Sequence, residues 1–188
     1  MSMTQIKNTA GKVLFETEVP AKVIYKDKAA LEAAVKAGVS LARANLAGAD
    51  LAGADLAGAD LIDANLAGAN LSEAELYKVI LTGVNLAYAN LTGVNLAYAN
   101  LTGAVLTGVN LARANLTGAN LAGADLTGVN LARANLAYVN LARANLTGAT
   151  LTDAHLAGAN LAGANLARAN LYKVILTGAD LTDTNWKE

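Results

Sequence analysis

Leucine occupies every fifth position of the sequence from Leu41 to Leu181, without exception. The residue two places before each of these leucines is alanine or valine from Ala44 onward. The residue directly before the leucine is nearly always asparagine or aspartate. The exceptions from residue 45 onward are Glu75, Ile80, Val105, Thr150, His155 and Ile175. A strict period of five therefore governs most of the chain.

This period fits neither a continuous α-helix nor a continuous β-strand. Five residues of helix turn through roughly 500°, so successive leucines would point about 140° apart. In a strand, an odd period sends successive leucines to opposite faces. A chain that turns a corner once every five residues instead places each leucine, and the small residue two before it, on the inside. The predicted inward core includes Leu51, Leu81, Leu116, Leu146, Leu171, Val84 and Val129.

The corners explain why asparagine, aspartate and glycine are frequent, since these residues tolerate or stabilise turn dihedral angles. The segment 49–53 reads ADLAG and resembles the A(D/N)LXX motif of the pentapeptide-repeat family, as do its neighbours throughout residues 39–186. This resemblance implies an all-β solenoid, a right-handed quadrilateral (four-sided) parallel β-helix with four pentapeptides in each coil. About seven coils, at roughly 4.8 Å each, would make a rod on the order of 35 Å long.

The repeats are unusually regular. The ten residues LTGVNLAYAN occur at 81–90 and again, unchanged, at 91–100. Such regularity indicates either a consensus-designed sequence or a very recent duplication, and the residues do not decide between the two.

Residues 1–38 break the period and are interpreted as an N-terminal cap, a β-hairpin followed by a short helix. The segments 5–7 and 12–16 flank a plausible turn at 8–11. Helical spacing over residues 27–37 predicts a helix, with Asp27 as a candidate N-cap and Gly38 as a candidate C-terminal stop. We expect this cap to cover the first coil, as the terminal units of solenoids must.

The other end of the repeats, residues 39–186, has no comparable segment. Trp186 falls in the leucine register, and residues 187–188 form a short tail. An open last coil would leave leucines and strand edges exposed. Family members that dimerise through the C-terminal coil imply a homodimer here, with contacts from Leu176, Leu181 and Trp186. The alternative is a monomer closed by Trp186 alone.

The composition indicates where the protein is located and which kinds of partner it does not bind. The apolar fraction is 54%, but no apolar run approaches the roughly 18 residues of a spanning helix, so we expect no membrane segment. The first residues lack the pattern of a secretory signal, and there is no cysteine, which together fit a cytoplasmic protein. Fourteen basic residues face fifteen acidic ones, a balance that argues against direct nucleic-acid binding.

Two groups of outward residues are candidate partner surfaces. Positions twenty apart lie on one face, so Arg113, Arg133, Asp153 and Lys173 form a charged strip on consecutive coils. Tyr77, Tyr98 and Tyr138 share another face. Both groups are also compatible with ordinary solvated side chains, of which an ion pair between Arg133 and Asp153 would contribute under about 1 kcal/mol.

The residues offer no catalytic constellation. His155 is the only histidine, so without cysteine a metal site is not expected. The many threonines lack a partner base, and we expect no cofactor. The sequence thus predicts a non-catalytic scaffold that displays a surface for protein interaction. The family resemblance implies one alternative, a protein that inhibits or protects DNA gyrase or topoisomerase by imitating duplex DNA. The chain's net charge of −1 argues against it, because a rod of this length would need some twenty negative charges to imitate DNA.

Overall fold

The computed structural model describes residues 2–7, 13–19 and 26–186. Two strands, β1 (Ser2–Lys7) and β2 (Val13–Val19), pair antiparallel, with an irregularity in register between Ile6 and Lys7. The predicted turn at 8–11 lies outside the described residues. Helix α1 (Lys26–Lys36) follows, and the repeats begin directly after it.

The repeats form a solenoid of stacked coils. The residue before each leucine makes a parallel β-bridge with the residue twenty positions later, from Asn45↔Asn65 to Asn160↔Asp180. One coil is therefore four pentapeptides, as the family resemblance implies. Each pentapeptide forms one side of the coil.

Each side ends in a tight turn. The Ala44 N–H donates to the Leu41 carbonyl at 2.9 Å, and this bond recurs along the repeats. The residue two after each leucine has positive φ, for example 61° at Gly53 and 61° at Arg113. A positive φ at the second central residue is the geometry of a type II turn, which favours glycine. The turn explains why glycine is so often found at this position.

Three further backbone N–H groups of each pentapeptide donate to adjacent coils. The Leu46 N–H donates to the Asn65 carbonyl at 2.8 Å, and the Gly48 N–H donates to the Ala67 carbonyl at 2.9 Å. In the opposite direction, the Asn65 N–H donates to the Ala44 carbonyl at 2.9 Å. These bonds run from coil to coil, so an isolated coil has no means of satisfying its backbone.

The remaining N–H group explains why asparagine and aspartate recur. The Ala87 N–H donates to Asn85 Oδ1 at 3.1 Å, and an equivalent bond is present at every corner asparagine and aspartate from Asn45 to Asp180. Within the described repeats, none of the six exceptional corner residues accepts such a bond. This asparagine or aspartate lies in the bridge and not in the turn, contrary to the expected corner position, and it accepts a bond from an amide that no other coil reaches.

The core is a column of leucine with alanine and valine. Leu51, Leu116 and Val129 are 0% exposed. The other predicted core residues, Leu81, Leu146 and Val84, are at most 1% exposed. Leu171 is only partly buried, because it belongs to the last described coil and no described coil lies beyond it.

Helix α1 belongs to the same core. Ala30, Leu31 and Ala34 are fully buried in one cluster with the first leucines of the repeats. The helix ends as expected at Gly38, with φ of 70°, where the Val39 N–H donates to the Ala34 carbonyl at 3.0 Å. This bond belongs to a Schellman motif, which requires a left-handed residue.

Asp27 does not precede the helix. The helix begins at Lys26, so Asp27 lies inside its first turn.

We expect Leu116→Asp to disrupt the coils around it, because it places a carboxylate among fully buried side chains and costs several kcal/mol. Thr117→Asp is the matched control, since this side chain points outward and loses only its hydroxyl bond to Asn115 at 2.7 Å. Urea unfolding monitored by circular dichroism compares the two. Equal losses of stability would show that the assigned inward and outward positions are wrong.

Candidate interaction surface

The arginine strip consists of Arg113, Arg133, Asp153 and Lys173, one residue from each of four consecutive coils. All four are exposed and have positive φ. Arg133 Nε lies 3.9 Å from Asp153 Oδ2. With side chains 67% and 40% exposed, this pair contributes under about 1 kcal/mol. Arg113 makes no ion pair within the described part of the chain, so its guanidinium faces solvent.

The tyrosine face consists of Tyr77, Tyr98 and Tyr138. The rings of Tyr77 and Tyr98 meet edge to face, with centroids 5.9 Å apart and planes at 86°. Lys78 Nζ lies 5.1 Å from the centre of the Tyr77 ring. Tyr138 is two coils further along and 73% exposed. The face therefore has one compact aromatic pair and one separate ring.

Exposed tyrosines lean over glycines of the next coil, which the sequence analysis missed. The Tyr98 ring covers Gly118, where a Cβ would lie 2.8 Å from two ring carbons. Tyr138 covers Gly158 in the same way. The signal was present in the sequence as a glycine twenty residues after each of these tyrosines, one coil away. The contact between each tyrosine ring and its glycine limits where the rings can lie.

A second feature missed from the sequence is an exposed motif that occurs twice. The pentapeptide LYKVI occurs at 76–80 and at 171–175. In both copies the lysine Nζ lies 5.1 Å from the tyrosine ring centre. The last residue of each copy is an exposed isoleucine, Ile80 at 38% and Ile175 at 48%. The second copy puts apolar surface on the last coil.

A hydrogen-bonded column runs along the corner at Asp125. The hydroxyls of Thr127 and Thr107 donate to this carboxylate at 2.6 and 3.0 Å, and Asn145 Nδ2 donates to it at 3.3 Å. The Thr127 hydroxyl bond, with smaller contributions from the other donors, holds the pKa of Asp125 below its ordinary value, although partial burial acts the other way. The carboxylate therefore favours the folded state when it is ionised.

This lowered pKa determines the direction in which the stability of the fold changes with pH. The stabilisation by ionised Asp125 is present above the unfolded-state pKa of about 3.9 and is lost as pH falls through the lower folded-state pKa. We expect Asp125→Asn to lower the thermal midpoint at pH 7, and the difference from wild type to shrink as pH falls through the lowered folded-state pKa of Asp125. Thr127→Val should weaken the same pH dependence, because it removes the strongest donor. A difference of unchanged size at acidic pH would contradict this account.

The last coil presents an open apolar edge. Leu171, Leu176 and Leu181 are only partly buried, and Trp186 packs against the core beside them. The N–H groups of these three leucines have no backbone acceptor among the described residues. The carbonyls of the small inward residues on this coil likewise accept no described backbone N–H; these are Ala169, Val174 and Ala179. Donors and acceptors therefore alternate along one edge.

The family model for pentapeptide repeats matches the chain in eight copies, over residues 44–83, 85–121, 114–153 and 150–185. The chain belongs to the pentapeptide-repeat family. Among curated protein sequences, none matches it significantly.

The chain is similar to several solved pentapeptide-repeat proteins. HetL from the cyanobacterium Nostoc sp. strain PCC 7120, involved in heterocyst differentiation regulation, is 36% identical, with a TM-score of 0.53, over 78% of this chain and 80% of HetL. A pentapeptide-repeat protein of the Arabidopsis thaliana thylakoid lumen is 30% identical, with a TM-score of 0.42, over 52% of this chain and 71% of its own. QnrB1, a plasmid-mediated fluoroquinolone resistance protein, is 18% identical, with a TM-score of 0.41, over 73% and 70%.

The described surface of this pentapeptide-repeat protein holds no cluster of metal ligands. His155 is the only histidine, and its Nδ1 lies 3.4 Å from Asn135 Oδ1. A groove of about 340 Å³ follows the arginine strip, and another of about 540 Å³ runs between α1 and the first coil. Among the described residues, no helix has the length and apolar character that crossing a bilayer requires.

Proposed function

We propose that this pentapeptide-repeat protein is a non-catalytic scaffold whose outward residues form a surface for a protein partner. The observation that carries the proposal is the separation of two sets of side chains. Leucine, alanine and valine build the core, while the residue two after each leucine lies outside it. Side chains at that position can vary without disturbing the packing of the coils.

The arginine strip is the best candidate for the contact. Three cations on four consecutive coils stand on a rigid, regular support, and Arg113 is free of ion pairs within the described residues. Arginine and tyrosine are the residue types that dominate protein–protein contacts. The tyrosine face supplies the second type, on an adjacent side of the rod.

We expect a photo-crosslinking amino acid at position 133 or 98 to capture a defined partner in cells. Position 103 is the control, since Gly103 lies at the same turn position and has no side chain within 4 Å. With the crosslinking amino acid at position 98, Arg113→Gly with Arg133→Gly should abolish the capture without lowering the thermal midpoint, because glycine suits the positive φ at positions 113 and 133. Absence of a partner that distinguishes 133 or 98 from 103 would refute the proposal.

A gyrase assay on the same protein distinguishes the scaffold proposal from the DNA-mimic alternative. Titration into a gyrase supercoiling assay should give no inhibition at low micromolar concentration, because the exposed Arg113 and Arg133 oppose the negative field of a DNA mimic. Inhibition, particularly if it survives removal of the arginine strip, would replace the scaffold proposal with the mimic.

We further propose that residues 1–38 act as the cap of the first coil. Two side chains of α1 support this role. Lys28 Nζ donates to the Ala52 carbonyl at 2.9 Å, and Glu32 Oε1 accepts the Asp55 N–H at 3.0 Å. Both bonds satisfy backbone groups on the edge of the first coil that faces α1.

At the other end we propose a homodimer through the last coil. The edge carries both donors and acceptors, so it is self-complementary across a two-fold axis. The partly buried leucines and Trp186 supply apolar area beside it, and Ile175 extends this area onto the adjacent side.

We expect Leu176→Arg to convert the dimer to a monomer, because it places a charge in the apolar edge. Thr177→Arg adds the same charge one residue away, at an outward and exposed position, and should leave the dimer intact. Light scattering coupled to size-exclusion chromatography measures both masses. A wild-type protein that is monomeric throughout the micromolar range would contradict the dimer.

A further inference from the structure

Several backbone groups on the edge of the first coil that faces away from the repeats have no partner among the described residues. Within the repeats, a carbonyl directly before a leucine accepts the N–H of a leucine in the preceding coil, as Asn65 accepts from Leu46 at 2.8 Å. The corresponding carbonyls of the first coil accept no backbone N–H within the described chain; they belong to Asn45, Asp50 and Asp55. The first coil thus offers the acceptors that an earlier coil would use.

The last coil offers the donors that those acceptors lack. The N–H groups of Leu171, Leu176 and Leu181 occupy the positions from which interior leucines donate to the following coil. The carbonyls of the last coil similarly match the N–H groups of Asn45 and Asp50, for which no described acceptor exists. The two ends are complementary because both are edges of one repeating ladder.

Helix α1 occupies the first of these edges by imitating a coil. In the interior, the Thr92 carbonyl accepts the Glu73 N–H at 2.9 Å. At the equivalent position of the first coil, the donor to the Ala52 carbonyl is instead Lys28 Nζ, at 2.9 Å. Glu32 in turn replaces a carbonyl of the missing coil as the acceptor for an N–H. Leu31, which is 0% exposed, covers the apolar end of the column.

We propose that α1 masks a head-to-tail interface, at which the first coil of one copy stacks on the last coil of a second copy. The occupant is a second copy because its last coil presents the complementary donors and acceptors, together with partly buried leucines that match the leucine column. Each junction would continue the β-helix through the same bonds that join its interior coils.

This interface differs in kind from the dimer proposed above. A head-to-tail contact uses two different surfaces, so repetition does not close and growth continues. The tail-to-tail dimer uses one surface twice and closes at two copies. Coverage of the first coil by α1 opposes the open-ended assembly, which is the hazard that exposed strand edges create. The tail-to-tail dimer competes for the same last coil, so growth requires the head-to-tail contact to be the more stable of the two.

Leu31→Asp in the full-length chain tests the proposal. A carboxylate at this buried position detaches α1 from the first coil, and light scattering should then show a concentration-dependent series with an average mass at least twofold above wild type. The double variant Leu31→Asp/Leu176→Arg should be monomeric. Its first coil is uncovered, but the charge at position 176 prevents its last coil from stacking on another copy. A single variant that keeps the wild-type mass overturns the proposal, and so does a double variant that still assembles, since it would pair head to head.

A milder variant covers the case in which Leu31→Asp loses the circular dichroism signal of the repeats. Lys28→Ala/Glu32→Ala keeps the apolar contacts of α1 and removes only its two bonds to the first coil. We expect its average mass to exceed that of wild type at high protein concentration. An unchanged mass, with the repeats folded, would then overturn the proposal.

Discussion

The backbone hydrogen bonds between successive coils are the interaction on which this molecule depends. Each pentapeptide of the interior coils donates three N–H groups to adjacent coils, and a net contribution of about 0.5–1.5 kcal/mol per bond accumulates only when coils are stacked. The leucine column depends on the same stacking, as shown by Leu171, which loses full burial in the last coil. The turns, the bridge residues and the outward side chains all lie where they allow the backbone hydrogen bonds to continue from coil to coil.

The sequence predicted this arrangement well because the same residue types, and not only the same spacing, recur at equivalent positions. Leu116 and Val129 could be placed inside from spacing alone, since no other geometry gives such residues one dry side. The coil length of twenty came from the family resemblance and is the spacing of the observed bridges. Asparagine was expected at corners for its turn tolerance, whereas the structure shows a more specific cause, the bond from Ala87 to Asn85 and its equivalents.

The features that sequence reasoning missed involve residues that meet only after the coils stack. The contact between Tyr98 and Gly118 requires knowing that side chains two after the leucine lean toward the following coil. The bonds from Lys28 and Glu32 to the first coil depend on where a helix of unrelated sequence rests. Asp27 was expected directly before the helix, whereas the helix begins one residue earlier, at Lys26, because helix starts are weakly marked in sequence. Periodicity determines the repeats but says little about what the ends and the surface do.

The direction of the ladder has a mechanical consequence. Bonds between coils run along the axis of the solenoid, so tension applied between its ends would load the bonds of one coil at a time. Each coil that peels away releases twenty residues, or about 70 Å of extended chain at roughly 3.5 Å per residue. The molecule would therefore lengthen in equal steps under modest force, as a tether of nearly identical, separately released links.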